Sequence, residues 1–132
     1  MDAKEFAEKI IHAMNEAWDN GNFGPLEEIE DANAVYHLLA AGQEGHGLES
    51  HKEFLTSARN ATSERQMEWK FLTGEGNLLA LSLKSTSRYI SEIPGYQVPI
   101  GKKVSGDTLF LFRLKDGKIV EAWEQGSTTI SD

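Results

Sequence analysis

The chain has 132 residues, with 13 Lys and Arg against 21 Asp and Glu, which gives a formal net charge of −8 at pH 7. Nucleic-acid partners are not expected, because phosphate neutralisation needs clustered Lys and Arg. The absence of cysteine excludes disulfides, thiolate catalysis and cysteine metal sites. No apolar run approaches the roughly 20 residues of a membrane helix, and the N-terminus lacks a signal-peptide pattern. We therefore expect one cytoplasmic domain over residues 1–132, with no membrane partner.

The N-terminal part of the chain is typical of helices. Apolar side chains recur every three or four residues along a first helix, at Phe6, Ile10, Met14 and Ala17 or Trp18. Asp2, with Glu5 three residues later, predicts its N-cap, and Gly21 its end. Pro25 can open a short second helix. A third helix is predicted from Leu48 to about Asn60.

Strands dominate the remainder. From Ala34 to Ala40 the chain alternates, with Val35, His37 and Leu39 on one face. Residues 42–47 are predicted as a loop, and residues 91–103 as a long apolar loop that closes over a pocket or reaches across a dimer. Four further strands are expected, at 66–72, 78–90, 104–115 and 118–127. Helices followed by an antiparallel meander indicate an α+β fold.

Several motifs in this order resemble a known family. They are Trp18-Asp19-Asn20-Gly21-Asn22 at the end of the first helix, Val35-Tyr36-His37, and the run from Phe112 to Trp123, which reads aromatic-Arg-x-x-x-Gly-Lys-Ile-x-Glu-x-Trp. The chain resembles the SnoaL-like polyketide cyclases of the nuclear transport factor 2-like superfamily, which includes the ketosteroid isomerases. The resemblance implies a cone, in which N-terminal helices pack into a curved antiparallel β-sheet around an apolar pocket.

The resemblance also directs attention to polar groups on the pocket face. It puts His37 where the ketosteroid isomerases have their catalytic aspartate. On the last strand Glu124 shares a face with Val120 and Ala122, which are small and apolar. A buried His37–Glu124 pair could act as a general acid and base, because a carboxylate raises and burial lowers an imidazole pKa. The alternative is a structural pair in which each residue satisfies the other.

The remaining pocket wall is predicted to be apolar. Its ligand-binding candidates are Met14, Trp18, Val35, Phe54, Leu83, Ser85, Phe110 and Phe112, each of which could equally be core. His37, His46 and His51 match no metal-binding spacing, so no metal is expected, and the chemistry requires no cofactor.

The resemblance further implies what this chain does not do. The two hydrogen-bond donors of the steroid isomerases fall on Met14 and Phe110, and their base falls on His37. All three positions differ, so steroid isomerisation by that mechanism is not expected.

Two functions remain open. One is a cofactor-independent acid/base enzyme, of cyclase or isomerase type, on a small apolar carbonyl-bearing metabolite. The other is a non-catalytic module of the same fold that binds a ligand or a protein. Glu121 and Trp123, with Lys84 and Arg88, are predicted on the convex sheet face, where Trp123 favours a homodimer interface.

Overall fold

The computed structural model describes residues 2–39 and 42–132. Its elements are α1 (Ala3–Asn20), α2 (Gly24–Ile29), β1 (Glu30–Leu38), β2 (Gln43–His46), α3 (Leu48–Ala61), β3 (Thr62–Glu75), β4 (Leu78–Tyr89), β5 (Lys103–Lys115) and β6 (Lys118–Ser131). The predicted order is confirmed with one addition, because the expected loop before α3 contains the short strand β2. Ala40, the predicted end of the first strand, lies outside the described residues. Within the described part of the chain, no helix is long and apolar enough to cross a membrane.

The helix boundaries follow the predicted capping signals. The Asp2 side chain accepts a hydrogen bond from the Glu5 backbone N–H at 2.7 Å, which satisfies one of the free donors at the start of α1. Gly21 ends the same helix with φ 64°, a left-handed conformation that glycine adopts without steric cost. Pro25 lies in the first turn of α2, as predicted.

All six strands form one curved, open sheet in the order β2-β1-β6-β5-β4-β3. Every neighbouring pair is antiparallel except β1 and β6, which run parallel. The helices cover the concave face of this sheet. The predicted α+β architecture, with helices packed into a curved and mainly antiparallel sheet, is therefore confirmed.

The core lies between α1 and the middle of the sheet. Ile10 of α1 is 1% exposed, and Leu81 at the centre of β4 is fully buried. Phe112 of β5 and Ala122 of β6 complete this layer, and both are buried. The apolar stripe predicted for α1 is thus the stripe that packs on the sheet.

Irregularities in the strand register change which side chains face inward. Between Arg113 and Leu114 the register of β5 against β6 shifts. As a result Ile119, rather than Val120, is the buried neighbour of Ala122, which corrects the strict alternation predicted for the last strand. A second shift lies in β3, between Ser63 and Gln66.

The long loop between β4 and β5 packs over α3. Ile93 is 6% exposed and lies against Ala58 and Ala61 in a small second core cluster. The Tyr96 ring is tilted against Phe54, with 5.5 Å between the ring centroids. The loop therefore closes the edge of the cavity next to α3, one of the two roles predicted for it.

Candidate functional site

A cavity of about 260 Å³ lies between the helices and the concave face of the sheet. It is lined mainly by apolar side chains, and seven of the eight predicted ligand-binding residues contribute to its wall: Met14, Trp18, Phe54, Leu83, Ser85, Phe110 and Phe112. The eighth, Val35, does not line it.

Val35 is absent from the wall because the face predicted for β1 is inverted. In the parallel pairing with β6, Tyr36 lies opposite Ala122 and Leu38 opposite Glu124, whereas His37 lies opposite Trp123. Residues directly opposite each other across a pair of strands share a face, and a change of one residue moves a side chain to the other side. Tyr36 therefore faces the cavity, and His37 faces outward.

On the outer face His37 belongs to a different cluster. Its Nε2 atom lies 2.7 Å from Oε2 of Glu121, and its Nδ1 atom lies 3.2 Å from Oε2 of Glu44. The ring stacks on Trp123 at 5.3 Å between centroids. The hydrogen bond from His37, assisted by Arg113, lowers the pKa of Glu121. The predicted His37–Glu124 pair is therefore wrong, because the two side chains leave opposite faces of the sheet.

Glu124 lines the cavity, on the face that the sequence predicts. Burial raises the pKa of its carboxyl, and a positive charge on His51, when that ring is protonated, acts in the opposite direction. The carboxyl makes no hydrogen bond to any side chain or backbone group that the structure describes. A carboxyl group without such partners in an apolar wall favours its neutral, protonated form.

The residues that interact electrostatically with Glu124 belong to a group of three residues centred on Glu30. Glu30 is 1% exposed. Its carboxylate accepts a hydrogen bond from the Tyr36 hydroxyl and lies 2.9 Å and 3.1 Å from Nδ1 of His51. Burial and the charge of Glu30 raise the pKa of Tyr36 well above its usual range, so the phenol stays neutral and donates.

His51 connects this group to the cavity. With Nδ1 directed at a carboxylate, the neutral imidazole carries its proton on Nδ1 and presents Nε2 as an acceptor. Nε2 has no hydrogen-bond partner among the described residues, and His51 lines the cavity. The geometry is that of a histidine base oriented by a buried acid.

A second cavity of about 170 Å³ adjoins the first. The two spaces share four residues, which are Tyr36, His51, Phe54 and Glu124. Tyr36, His51 and Glu124 therefore lie where the two compartments meet, accessible to a ligand in either one.

Sequence reasoning missed Glu30, Tyr36 and His51. Helical spacing could have indicated His51, since it lies three residues after Leu48 and four before Leu55, which is buried. Glu30 gave no comparable signal, because an acid beside a short predicted helix is normally exposed. Tyr36 was assigned to the wrong face with the rest of its strand.

Comparison with solved structures shows the same fold. A SnoaL-like protein from Mesorhizobium loti superposes with a TM-score of 0.74 at 19% identity, covering 95% of this chain and 99% of that one. AclR from Streptomyces galilaeus, a candidate hydroxylase, gives 0.73 at 22% identity, covering 96% and 91%. IdmH from Streptomyces antibioticus, a candidate polyketide cyclase, gives 0.72 at 21% identity, covering 93% and 92%.

The search of curated proteins finds no significant match to this chain. The sequence profile of the SnoaL-like polyketide cyclases, in contrast, matches residues 8–127, which is nearly the whole chain. The matched region contains α2, α3, the strands β1 to β5, most of β6 and every residue of the site described above. The chain therefore belongs to the SnoaL-like polyketide cyclase family.

Proposed function

We propose that this protein is a cofactor-independent acid/base enzyme, of cyclase or isomerase type, that acts on a small apolar metabolite bearing a carbonyl group. One observation carries the proposal. A histidine oriented by a buried carboxylate and a carboxyl with a raised pKa line the same apolar cavity. Paired groups whose environments favour opposite protonation states are typical of acid/base catalysis.

The arrangement assigns a role to each residue. Nε2 of His51 accepts a proton from the carbon next to the substrate carbonyl, while Nδ1–H remains bonded to Glu30. The protonated Glu124 carboxyl donates its proton to the carbonyl oxygen, so that an enol forms and the charges on the site stay balanced. Where the substrate is a β,γ-unsaturated carbonyl compound, return of the proton to the γ carbon of the resulting dienol gives isomerisation. Attack of the enol carbon on a second carbonyl gives ring closure.

The size and lining of the cavity support a small apolar substrate. Its walls are aromatic and aliphatic, among them Trp18, Trp69 and Phe110. Burying apolar surface against such walls supplies binding energy without directional bonds. Polar recognition is then confined to the few groups that a carbonyl compound would contact.

Exchange of carbonyl α-protons in deuterated buffer tests the proposal without knowledge of the natural substrate. With 2-decanone as the probe, NMR should show deuterium incorporation that the wild-type protein accelerates. His51→Gln and Glu124→Gln should each slow it by roughly 10²-fold or more, the usual effect of losing a general acid or base. Glu68→Gln, an exposed acid on β3, is the matched control. Exchange no faster than in buffer, or unchanged by either variant, would favour the non-catalytic binding module.

We also propose that the outer face of the sheet forms a homodimer. Four leucines are exposed there, Leu39, Leu72, Leu109 and Leu111, with exposures between 39% and 56%. Together with Trp123 they line a shallow apolar depression. An apolar depression of this kind on a sheet face is typical of an interface. Because the same patch is present on every copy, two chains can cover it by twofold pairing.

A further inference from the structure

Arg65 lies in the wall of the main cavity without an acidic partner. Its Nη1 atom donates to the carbonyls of Arg59 and Thr62 at 3.1 and 2.6 Å, and to Oγ1 of Thr62 at 2.9 Å. Its Nη2 atom reaches only the Trp18 carbonyl, at 3.4 Å. Among the described residues, no carboxylate lies within 4.0 Å of this guanidinium, in contrast to Arg88 and Arg113.

One donor of this guanidinium is unsatisfied. Nε of Arg65 is buried and makes no hydrogen bond to the described part of the chain. More than nine in ten buried donors in proteins have a partner, so an orphan in a cavity wall calls for an explanation. A guanidinium is charged at all physiological pH values, so its charge persists whether or not a partner is bound.

The backbone is distorted at the position that turns Arg65 inward. Glu64 has φ 53°, which is unusual for a residue other than glycine, and it lies in the bulge between Ser63 and Gln66. Bulges re-aim side chains, and strain of this kind is concentrated at functional sites. Glu64 itself points outward and pairs with Arg88, whose Nε lies 2.7 Å from its carboxylate. The acid next to Arg65 in sequence therefore neutralises a different cation.

The surroundings of Arg65 add hydroxyl groups and no negative charge. Thr62, Ser87 and Tyr89 line the same end of the cavity, and burial raises the pKa of Tyr89, so its hydroxyl stays protonated. Glu124 is the one carboxyl among the described cavity-lining residues. It lies at the other end, beside His51. This end of the cavity is thus rich in hydrogen-bond donors, and the charge of its guanidinium has no counter-ion among the described residues.

We propose that Arg65 binds a carboxylate on the ligand, so that the substrate class is an apolar oxo acid and not a neutral ketone. This inference deepens the proposed function, because it concerns the same cavity. A carboxylate suits a guanidinium, since both groups are planar and form charge-assisted hydrogen bonds. Arg65 donates to the carbonyl of Arg59, which lies eight residues along α3 from His51, a rise of about 12 Å at 1.5 Å per residue. A ligand that reaches both ends carries its carbonyl several carbons from its carboxylate.

Binding of 9-oxodecanoate and of its methyl ester, followed by fluorescence of Trp18 and Trp69, tests the proposal directly. The two probes have the same apolar chain and ketone and differ only in charge. The wild-type protein should bind the acid at least about tenfold more tightly, the effect of one hydrogen bond between charged groups. Arg65→Gln should bind acid and ester alike, and Arg113→Gln, whose arginine pairs with Glu121 on the outer side of the sheet, should behave as wild type. Equal binding of acid and ester by the wild-type protein overturns the proposal.

A purely structural role for Arg65 has a different signature. In that case Arg65→Gln weakens both probes equally, or fails to fold because the contacts with the ends of α1 and α3 are lost. NMR on the wild-type protein then decides, since the protons next to the probe carboxylate should show cross-peaks to Arg65 and the terminal methyl ketone should show them to His51. The reverse orientation, or no cross-peak to Arg65, contradicts the proposal.

The two proposals fail separately. If Glu124→Gln leaves α-proton exchange unchanged, the acid/base function is wrong while the acid–ester preference stands. If exchange depends on Glu124 and His51 but acid and ester bind alike, the carboxylate site is wrong while the acid/base function stands.

Discussion

Glu30 and His51 meet in the interior of the cone, where Nδ1 of the imidazole lies 2.9 Å from one carboxylate oxygen and 3.1 Å from the other. Glu30 comes from the first residue of β1 and His51 from the first turn of α3, so the contact joins two elements that are separate in sequence. A carboxylate in this position fixes both the tautomer and the orientation of the ring. The chemistry at Nε2 therefore depends on a residue that has no contact with the ligand.

Glu30→Gln tests this positioning role. The amide cannot hold the imidazolium that forms during proton transfer, so α-proton exchange should fall at least about tenfold, while affinity for 2-decanone stays near wild type. The variant should also lose about 1–3 kcal/mol of stability, since His51 and Tyr36 lose a charged partner. Exchange is followed by NMR and stability by urea denaturation. Glu28→Gln, an exposed acid on α2, is the control, and equal exchange rates for the two variants would contradict the role.

Tyr36→Phe tests how much the buried hydroxyl contributes to stability. The change removes the hydroxyl that donates to the buried Glu30 carboxylate, which should cost about 1–3 kcal/mol. Urea denaturation measures this cost. Tyr96→Phe is the matched control, because the Tyr96 ring packs on Phe54 and its hydroxyl has no partner among the described residues. A Tyr36→Phe variant as stable as Tyr96→Phe would show that Glu30 does not depend on this bond.

Much of the fold could be predicted because local signals and tertiary packing agree. Asp2 and Gly21 delimit α1 by capping that needs no knowledge of the rest of the chain. The hairpin at Asp116-Gly117 is of the same kind, with both residues at positive φ. Where a few neighbouring residues determine a structural element, their sequence pattern is enough to predict that element.

The site was harder to predict because it depends on register between distant strands. Alternation along β1 offers two faces, and only the pairing of Tyr36 with Ala122 determines which of them is inside. The bulge in β3 also changes which side chains face the cavity, and no sequence pattern around Glu64 predicts its positive φ. Glu124 was placed in the cavity wall correctly because its face of β6 is small and apolar. The predicted partner of Glu124, His37, was wrong because that prediction depended on which face of β1 lies inside.

The outer face predicts a measurable assembly. Leu109→Lys should convert a dimer to a monomer in analytical ultracentrifugation, since a charge in the centre of the apolar patch cannot be desolvated without a partner. Leu109 is 56% exposed, and Ile90, at 54%, is equally exposed but lies outside the patch. Ile90→Lys should therefore leave the dimer intact. A wild-type protein that is monomeric at about 0.1 mM, which corresponds to about −5.5 kcal/mol of association, would refute the interface.

The raised pKa of Glu124 has a consequence for stability, and its direction follows from linkage. At pH values below the ordinary pKa of glutamate, which is about 4.3, the carboxyl is protonated in the folded and unfolded chains alike. As the pH rises from there to the raised pKa, the unfolded chain releases the proton while the folded chain retains it. The stability present at low pH is therefore lost as the pH rises through the folded-state pKa.

Glu124→Gln removes this loss, because an amide does not titrate. The melting temperature of the variant should match that of the wild type near pH 4 and exceed it by a few degrees near pH 7, with the difference developing in the interval above the usual pKa of glutamate. Protonation of His51 reduces the size of the effect without changing its sign. Thermal unfolding at a series of pH values measures it, with Glu68→Gln as an exposed control that should show no such divergence. If the two variants follow the wild type in parallel, Glu124 ionises as freely in the cavity as in water, and it is then a poor candidate for the proton donor.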